Sequence, residues 1–505
     1  MLRHHMQGEL NNLLRLMHQL QLQPPHISDD DLKETLLTWL ALFPVYRLYG
    51  SKLPLSGEDD EILHQTLNQT EQRKPHLQPA VQHLRLLFTN NTEAPGTEEN
   101  RLNFLMRCQQ FTGPLAAKGV EDTTFYHYNR LISHNEVGDS PDWFGITPQY
   151  FHERMLERKQ YWPQAQNATA THDTKRGEDA RIGLNVLSEM ADEWEQAVMQ
   201  WRELNQKFVY QNEDGKNVPS RNDEYFLYQA LLAAYPMSGE LERDLLPRLK
   251  QHMTKAIREA KVRSDWGDPN EDYEKGVHQF IDKIFSTSHG FREAIKPVLR
   301  KLSHYGMFYS LGQLLLKCSA PGVPDIYQGC ELWELSMVDP DNRRPVEYEL
   351  RQQYLNELQE QFAQQPLELI NQLKANWTDG RIKQFVLWQV LQLRQQQPEL
   401  FSEGRYIPLE ISGSKSSHMI AFARQYEQQW CVVLVPHELV NLVSLDEWPL
   451  GEQVWQNAAV QLPADAPVHW KSLFDTRSLS ASGSISVAEA LQQFPVAVLM
   501  SAPEL

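Results

Sequence analysis

The sequence predicts an α/β protein with large helical segments and a small antiparallel β-domain toward its C-terminus. Three observations carry this reading. The first hundred residues show helical periodicity, three later segments repeat the order apolar run, polar loop and helix, and the residues after about 375 form β-rich runs between turns. With 505 residues the chain has the length of roughly three domains.

The helical part comes first. Ser28 is a natural N-cap, and Asp29, Asp30 and Asp31 place negative charge where the helix dipole favours it. Leu32, Leu36, Leu40 and Phe43 then share one face until Pro44 stops the pattern. Similar helices are expected over 2–22, 57–72 and 79–89, followed by a polar loop, TNNTEAPGTEEN, at 89–100.

From Pro114 the texture changes. PLAAKGVEDTTFYHYNR (114–130), NATATHDTKRGED (167–179) and SAPGVPDIYQGCELWE (319–334) each lead from small or β-branched residues into a charged loop. Strands are expected near 114–119, 168–173 and 323–328, with chemistry at their C-terminal ends. A long helical stretch, including EYFLYQALLAAY and FREAIKPVLRKLSHYGMFYSLGQLLLK, separates the last two. HMIAFARQY, QWCVVLVPHEL and FPVAVLM supply the strands of the C-terminal β-domain.

Composition narrows the function. A formal net charge of −18 argues against nucleic acid as a partner, because phosphate backbones are bound by excess Lys and Arg. The four cysteines are widely scattered without metal or redox spacing, so a reducing cytoplasm is expected. No stretch is long and apolar enough to span a membrane, and the N-terminus lacks the apolar core and cleavage site of a secretion signal. The 18 histidines lack metal-ligand spacing, and no phosphate loop, nucleophile elbow or H-E-x-x-H is present, so no metal or cofactor is expected.

Three clusters carry candidate chemistry. Thr171-His172-Asp173-Thr174-Lys175-Arg176 puts a hydrogen-bonding ring and an anion at a strand end, as stabilisation of an oxocarbenium-like transition state requires. The alternative is a solvated loop capping the helix that starts near Gly177. Lys118, Glu121 and Asp122 stand beside Phe125, Tyr126 and Tyr128, an acid–aromatic mixture suited to sugars, or an ordinary helix cap. Pro321-Gly322-Val323-Pro324-Asp325-Ile326-Tyr327 leads to Asp339-Pro340-Asp341-Asn342-Arg343-Arg344-Pro345, where the prolines and glycine also fit plain turn chemistry.

Read together, FPVYRLYG (43–50), AKGVEDTTFYHYNRLISHNEVG (117–138), ATHDTKRGEDAR (170–181), PGVPDIYQGCELWELSMVDPDNRRPVEY (321–348) and FPVAVLM (494–500) resemble the maltooligosyl trehalose synthases of the α-amylase superfamily. The resemblance runs from near residue 1 to the end. It implies a (β/α)₈ barrel with helical insertions and a C-terminal β-domain. It also implies an isomerase that converts the reducing-end α-1,4 linkage of a maltooligosaccharide to α,α-1,1, by a retaining scheme with a nucleophilic Asp, an acid/base Glu and a further stabilising Asp.

On this resemblance Asp173 is the transition-state-stabilising carboxylate and His172 hydrogen-bonds sugar hydroxyls. Lys175 and Arg176 bind or orient, and Lys118, Glu121 and Tyr327 join the substrate-binding candidates. The nucleophile and acid/base have no counterpart here, since residues 1–112 resemble the family's helical insertion and hold no G-x-R-x-D segment. The expected layout is therefore a helical insertion (1–112), the C-terminal part of the barrel with about its last three strands (113–370), and the β-domain (375–505). Three strands cannot close a barrel, so an N-terminal barrel portion is the expected partner beside the maltooligosaccharide. A non-catalytic maltooligosaccharide-binding remnant and an amylase-like hydrolase are the alternatives.

Overall fold

Helices with a shared apolar interior open the chain. The computed structural model describes residues 1–89, 94–286 and 288–502, in two units: Met1–His127 with Glu259–Lys261, and Tyr128–Arg258 with Val262–Leu505. In the first unit, helices Gln7–Gln19, Asp29–Leu40, Glu58–Arg73, Gln78–Phe88 and Glu98–Ala116 follow one another. Ser28 caps the second as expected, its hydroxyl accepting from Asp31 N at 3.1 Å. Leu36, Leu67, Leu84 and Phe104 meet in one core, where Trp39 stacks on Phe88 with ring centroids 5.5 Å apart. Residues 90–93 of the expected polar loop lie outside the described residues.

The strand expected near 114–119 is not a strand. Helix Glu98–Ala116 runs through Pro114, and a π-helical turn, Ala117–Glu121, follows it. Phe104, Cys108, Phe111 and Leu115 are buried at helical spacing, and that apolar face outweighs the breaker signals of Pro114 and Gly119. The layout expected from the sequence therefore loses one of its three barrel strands.

The strands expected near 168–173 and 323–328 are each only two residues long: Gln166–Asn167, which lies ahead of its expected range, and Val323–Pro324. In the second unit, Gln166–Asn167 and Val323–Pro324 pair in parallel, Gln166 opposite Val323. Gly322 permits the pairing: its φ is +124°, and a Cβ there would lie 2.6 Å from Ala165 O. Among the described residues seven α-helices lie between these strands, from Glu178–Glu189 to the 24-residue Lys296–Ser319.

Residues 381–402, expected in the β-domain, are helical (Arg381–Gln396 and Pro398–Ser402), and the chain becomes β-rich only from Arg405. A six-stranded antiparallel sheet takes the order Ser478–Ser480, His469–Ser472, Ala497–Ser501, Gln429–Pro436, Met419–Tyr426, Arg405–Pro408. A three-stranded sheet accompanies it, and Trp455, Trp470, Val432 and Leu499 are buried in the core. Helix Lys296–Ser319 packs on this region where Gly312 meets Val435, too close for any larger residue. Among the described residues no helix is long and apolar enough to cross a membrane.

Candidate functional site

The His172–Asp173 loop is held from beneath by buried charge. Helix Glu178–Glu189 begins directly after it, and its first two residues, Glu178 and Asp179, are almost wholly buried. Lys383 Nζ lies 2.7 Å from Glu178 Oε1 and 2.6 Å from Asp179 Oδ2. Lys317 Nζ lies 2.9 Å from Glu178 Oε2, which also accepts from the Thr169 hydroxyl, and Glu334 N donates to Asp179 at 2.6 Å. Two cations and two anions balance, as buried ions must.

Burial opposes ionisation of Glu178, but Lys383 and Lys317 outweigh it and hold the carboxyl at about 2. Asp179 is driven upward by burial and by Glu178, against the pull of Lys383. The neighbouring carboxyls therefore shift in opposite directions, since Glu178 has two lysines and Asp179 one.

A second brace lies on the other side of the loop. Buried Glu136 accepts from Lys175 N at 2.7 Å and pairs with Arg181 at 3.4 Å. The Arg176 guanidinium is buried and donates to the carbonyls of Ile132 and, at 3.1 Å, Asn135, while its backbone bridges to Met337. Gly177 N donates to Ser336 O at 2.7 Å, and a Cβ on Gly177 would stand 2.4 Å from Glu334 O. Only a residue without a side chain fits there.

The tip of the loop faces solvent. His172 and Asp173 have side chains 61% and 67% exposed, with Nε2 3.1 Å from Oδ2. Asn342 Nδ2 donates to the carbonyls of Thr171 and His172, at 3.3 and 3.1 Å, and the Tyr327 hydroxyl donates to Asn342 O at 3.2 Å. Burial raises the Tyr327 hydroxyl above its ordinary range, while Arg343 pulls the other way. Arg343 lies 4.0 Å from both Asp173 and Asp339. Two bonds from Arg248 to Asp341, at 2.7 and 2.9 Å, and one from Lys255 to Asp339, at 2.6 Å, fix this turn.

The structure thus gathers His172, Asp173 and Tyr327 in one polar cluster. Lys175 and Arg176 belong to the same loop but are buried beneath it, where Arg176 holds backbone and does not face solvent. Lys118 and Glu121 lie in the first unit, on the π-turn: Lys118 Nζ bonds Asp122 at 2.6 Å, and Glu121 accepts from the Tyr46 hydroxyl. Glu136, Lys317 and Lys383 are not among the candidates the sequence offers. Asn342 and Arg343 stand inside its DPDNRRP motif. Lys383 lies 204 residues from Asp179 and carries no local signal. Among the described residues no group of His, Cys, Asp or Glu side chains could hold a metal ion.

A braced loop presenting an acid–imidazole pair beside a short parallel strand pair marks a helix-rich α/β protein with a candidate site at the strand ends. Comparison with known proteins makes this specific: along most of its length the chain is related to maltooligosyl trehalose synthases. It is 31% identical over 441 residues to a Mycobacterium tuberculosis protein described as one, covering 87% of this chain and 50% of that protein. The solved maltooligosyltrehalose synthase of Arthrobacter ramosus superposes with a TM-score of 0.78 at 26% identity, covering 98% of this chain and 56% of that one. A glycosyltrehalose synthase, DSM5389, gives 0.69 at 28% identity, with 99% and 54% covered. The chain therefore spans about half the length of the relatives it matches. No protein-family model matches it.

Proposed function

We propose that this chain supplies part of the active site of a maltooligosyl trehalose synthase, an isomerase converting the reducing-end α-1,4 linkage of a maltooligosaccharide to α,α-1,1. The observation that carries the reading is the His172–Asp173 pair, exposed at a strand end on a buried ionic brace, in a chain related to these enzymes. In this reading Asp173 stabilises positive charge at the anomeric carbon and His172 hydrogen-bonds the sugar hydroxyls beside it. Tyr327 takes part in binding substrate, as do Lys118 and Glu121 from the first unit. Lys175 and Arg176 orient the loop, a role their burial supports. We read residues 1–112 as a helical insertion, whose unit runs on to His127, 113–370 as part of the barrel, and 375–505 as the β-domain, whose strands begin at Arg405. Four buried free thiols suit a reducing cytoplasm.

We propose that the chain works with a barrel portion corresponding to the rest of the relatives' length, in the same or another polypeptide, which carries the nucleophile and acid/base. The surface bordering the short strand pair supports it. Helix Pro148–Tyr161 contains no fully buried residue, and Trp143, Phe144, Ile146 and Trp162 flank it, all more than half exposed. A cavity of about 910 Å³ opens between Phe144, Phe151, Met155 and strand Gln166–Asn167. Val323, at the other strand, is also exposed. Such an apolar edge suits further strands and helices of a barrel.

The test is to incubate the chain with maltohexaose, alone and with that barrel portion. Reducing ends should disappear without free glucose only when both are present. Saturable maltohexaose binding that yields no product in either case would favour a binding module. Release of glucose and new reducing ends would favour a hydrolase.

A further inference from the structure

Behind the turn that carries Arg343 lies a second cavity, of about 450 Å³, within the size range of small-ligand sites. Trp266, His252, Thr254, Lys255 and Asp339 line it. His252 is 7% exposed, lies against the Phe226 ring, and its Nδ1 is buried without a hydrogen-bond partner. An unpaired buried nitrogen costs typically about 1–3 kcal/mol; Nδ1 is closed off from the cavity, which His252 lines with the rest of its side chain.

The chemistry of the walls selects the ligand. Each cation at the cavity already has its carboxylate: Arg248 with Asp341, Lys255 with Asp339, and Lys250 with Asp282. No excess positive charge is left to draw a phosphate or carboxylate. Burial and the Arg176 charge push His252 down to about 3, so at neutral pH its imidazole offers one donor and one acceptor. Trp266, 53% exposed, presents an indole surface, with Arg258 5.1 Å from its centroid. A flat aromatic surface, a neutral imidazole, and carboxylates with lone pairs to spare match a neutral, hydroxyl-rich ring better than any ion.

We infer that this cavity is an accessory carbohydrate subsite, in which a neutral sugar ring lies against Trp266 and hydrogen-bonds His252 and Asp339. It is separate from the strand-end cluster but linked to it, since Asp339 is 4.0 Å from Arg343, which is 4.0 Å from Asp173. The choice of a glucan as probe rests on the function proposed above; the neutrality of the ligand does not.

The test uses the whole chain labelled with 5-fluorotryptophan, the Trp266 resonance being assigned by its loss in Trp266→Phe. Maltotriose and inorganic phosphate are titrated separately. The Trp266 signal should move saturably with maltotriose, and equally so in Asp173→Asn, which separates this subsite from the strand-end site. In His252→Phe the affinity should fall about ten-fold, the worth of one buried hydrogen bond, while the melting temperature holds or rises because no unpaired nitrogen remains. If that variant does not fold, Trp266→Ala, an exposed substitution, should remove one of two calorimetric binding events. A Trp266 signal unmoved by maltotriose overturns the inference, even if the strand-end site binds. So does a response to phosphate, or an affinity unchanged in His252→Phe.

Discussion

Replacing Lys383 by Met keeps most of the apolar stem of the side chain and removes the ammonium, with its charge and its N–H donors. Lys383 is fully buried, and its ammonium contacts Glu178, Asp179 and, at 3.1 Å, the carbonyl of Leu332. Without it Glu178 still has Lys317 at 2.9 Å, but Asp179 keeps only the Glu334 N–H. The loss therefore falls mainly on Asp179, a buried carboxylate left without a cation. Breaking a buried pair this way costs about 3–5 kcal/mol. Protonation sets a ceiling. Taking up a proton at pH 7 from an ordinary value of 3.8 costs about 4 kcal/mol, at 1.36 kcal/mol per pH unit. The expected destabilisation at pH 7 is thus about 3–4 kcal/mol.

The same argument fixes the pH dependence. In the variant the folded-state pKa of Asp179 lies above its unfolded value, so the penalty is absent below about pH 4 and grows as pH rises toward the folded value. Lowering the pH from 7 to 5 should shrink the deficit. Urea denaturation followed by pulse-labelled hydrogen exchange on peptides spanning 178–189 reads the unit concerned without assuming that both units unfold together. Adding Asp179→Asn to Lys383→Met should restore at least about 2 kcal/mol at pH 7. A deficit below about 1 kcal/mol, or one equal at pH 5 and 7, would refute the electrostatic account of the brace.

Other perturbations probe the same loop. Gly177→Ala drives a methyl into Glu334 O, so the strand-end turn should lose about 1–3 kcal/mol by the same denaturation assay. Asp173→Asn changes an exposed side chain and should leave the melting temperature within about 1 °C. In the reconstituted mixture it should slow trehalose-linkage formation at least about a hundred-fold, measured as loss of reducing ends. Glu178 is held at about 2 against an ordinary 4.5, so the stability it contributes is present above about pH 4.5 and lost as pH falls toward 2. Acid titration should show a steeper loss in the native chain than in Glu178→Gln.

What the sequence revealed follows from the range of the interactions involved. Helix Asp29–Leu40 was legible because its cap, its acidic first turn and its apolar face all lie within a dozen residues. The sheet strands Met419–Tyr426 and Gln429–Pro436 were legible because β-branched runs flank a short turn. The segment at 114–119 misled because small apolar residues leading into a charged loop look like a strand end, while the apolar spacing from Phe104 to Leu115 already spelled a helix. His172 and Asp173 were found through a local motif. The brace was not: Glu136, Lys317 and Lys383 reach the loop from 39 to 204 residues away, and a lysine inside RIKQFVLW reads as a solvated helix residue until the fold buries it.

The two faces of the loop differ in what they still lack. Below it, each carboxylate has a cation and the geometry is set before any ligand arrives. Above it, Asp173 stands largely in water. An opposite charge 4 Å away is worth about 1 kcal/mol in water and about 4 kcal/mol at an effective dielectric near 20. An exposed carboxylate therefore does little for an oxocarbenium ion, and water left at the anomeric centre turns transfer into hydrolysis. A loop so firmly fixed beneath and so open above makes physical sense when a further surface covers it, which is the role proposed for the remaining barrel portion. Isomerase turnover by this chain alone, with no glucose released, would show that no such cover is needed and would sink that part of the argument.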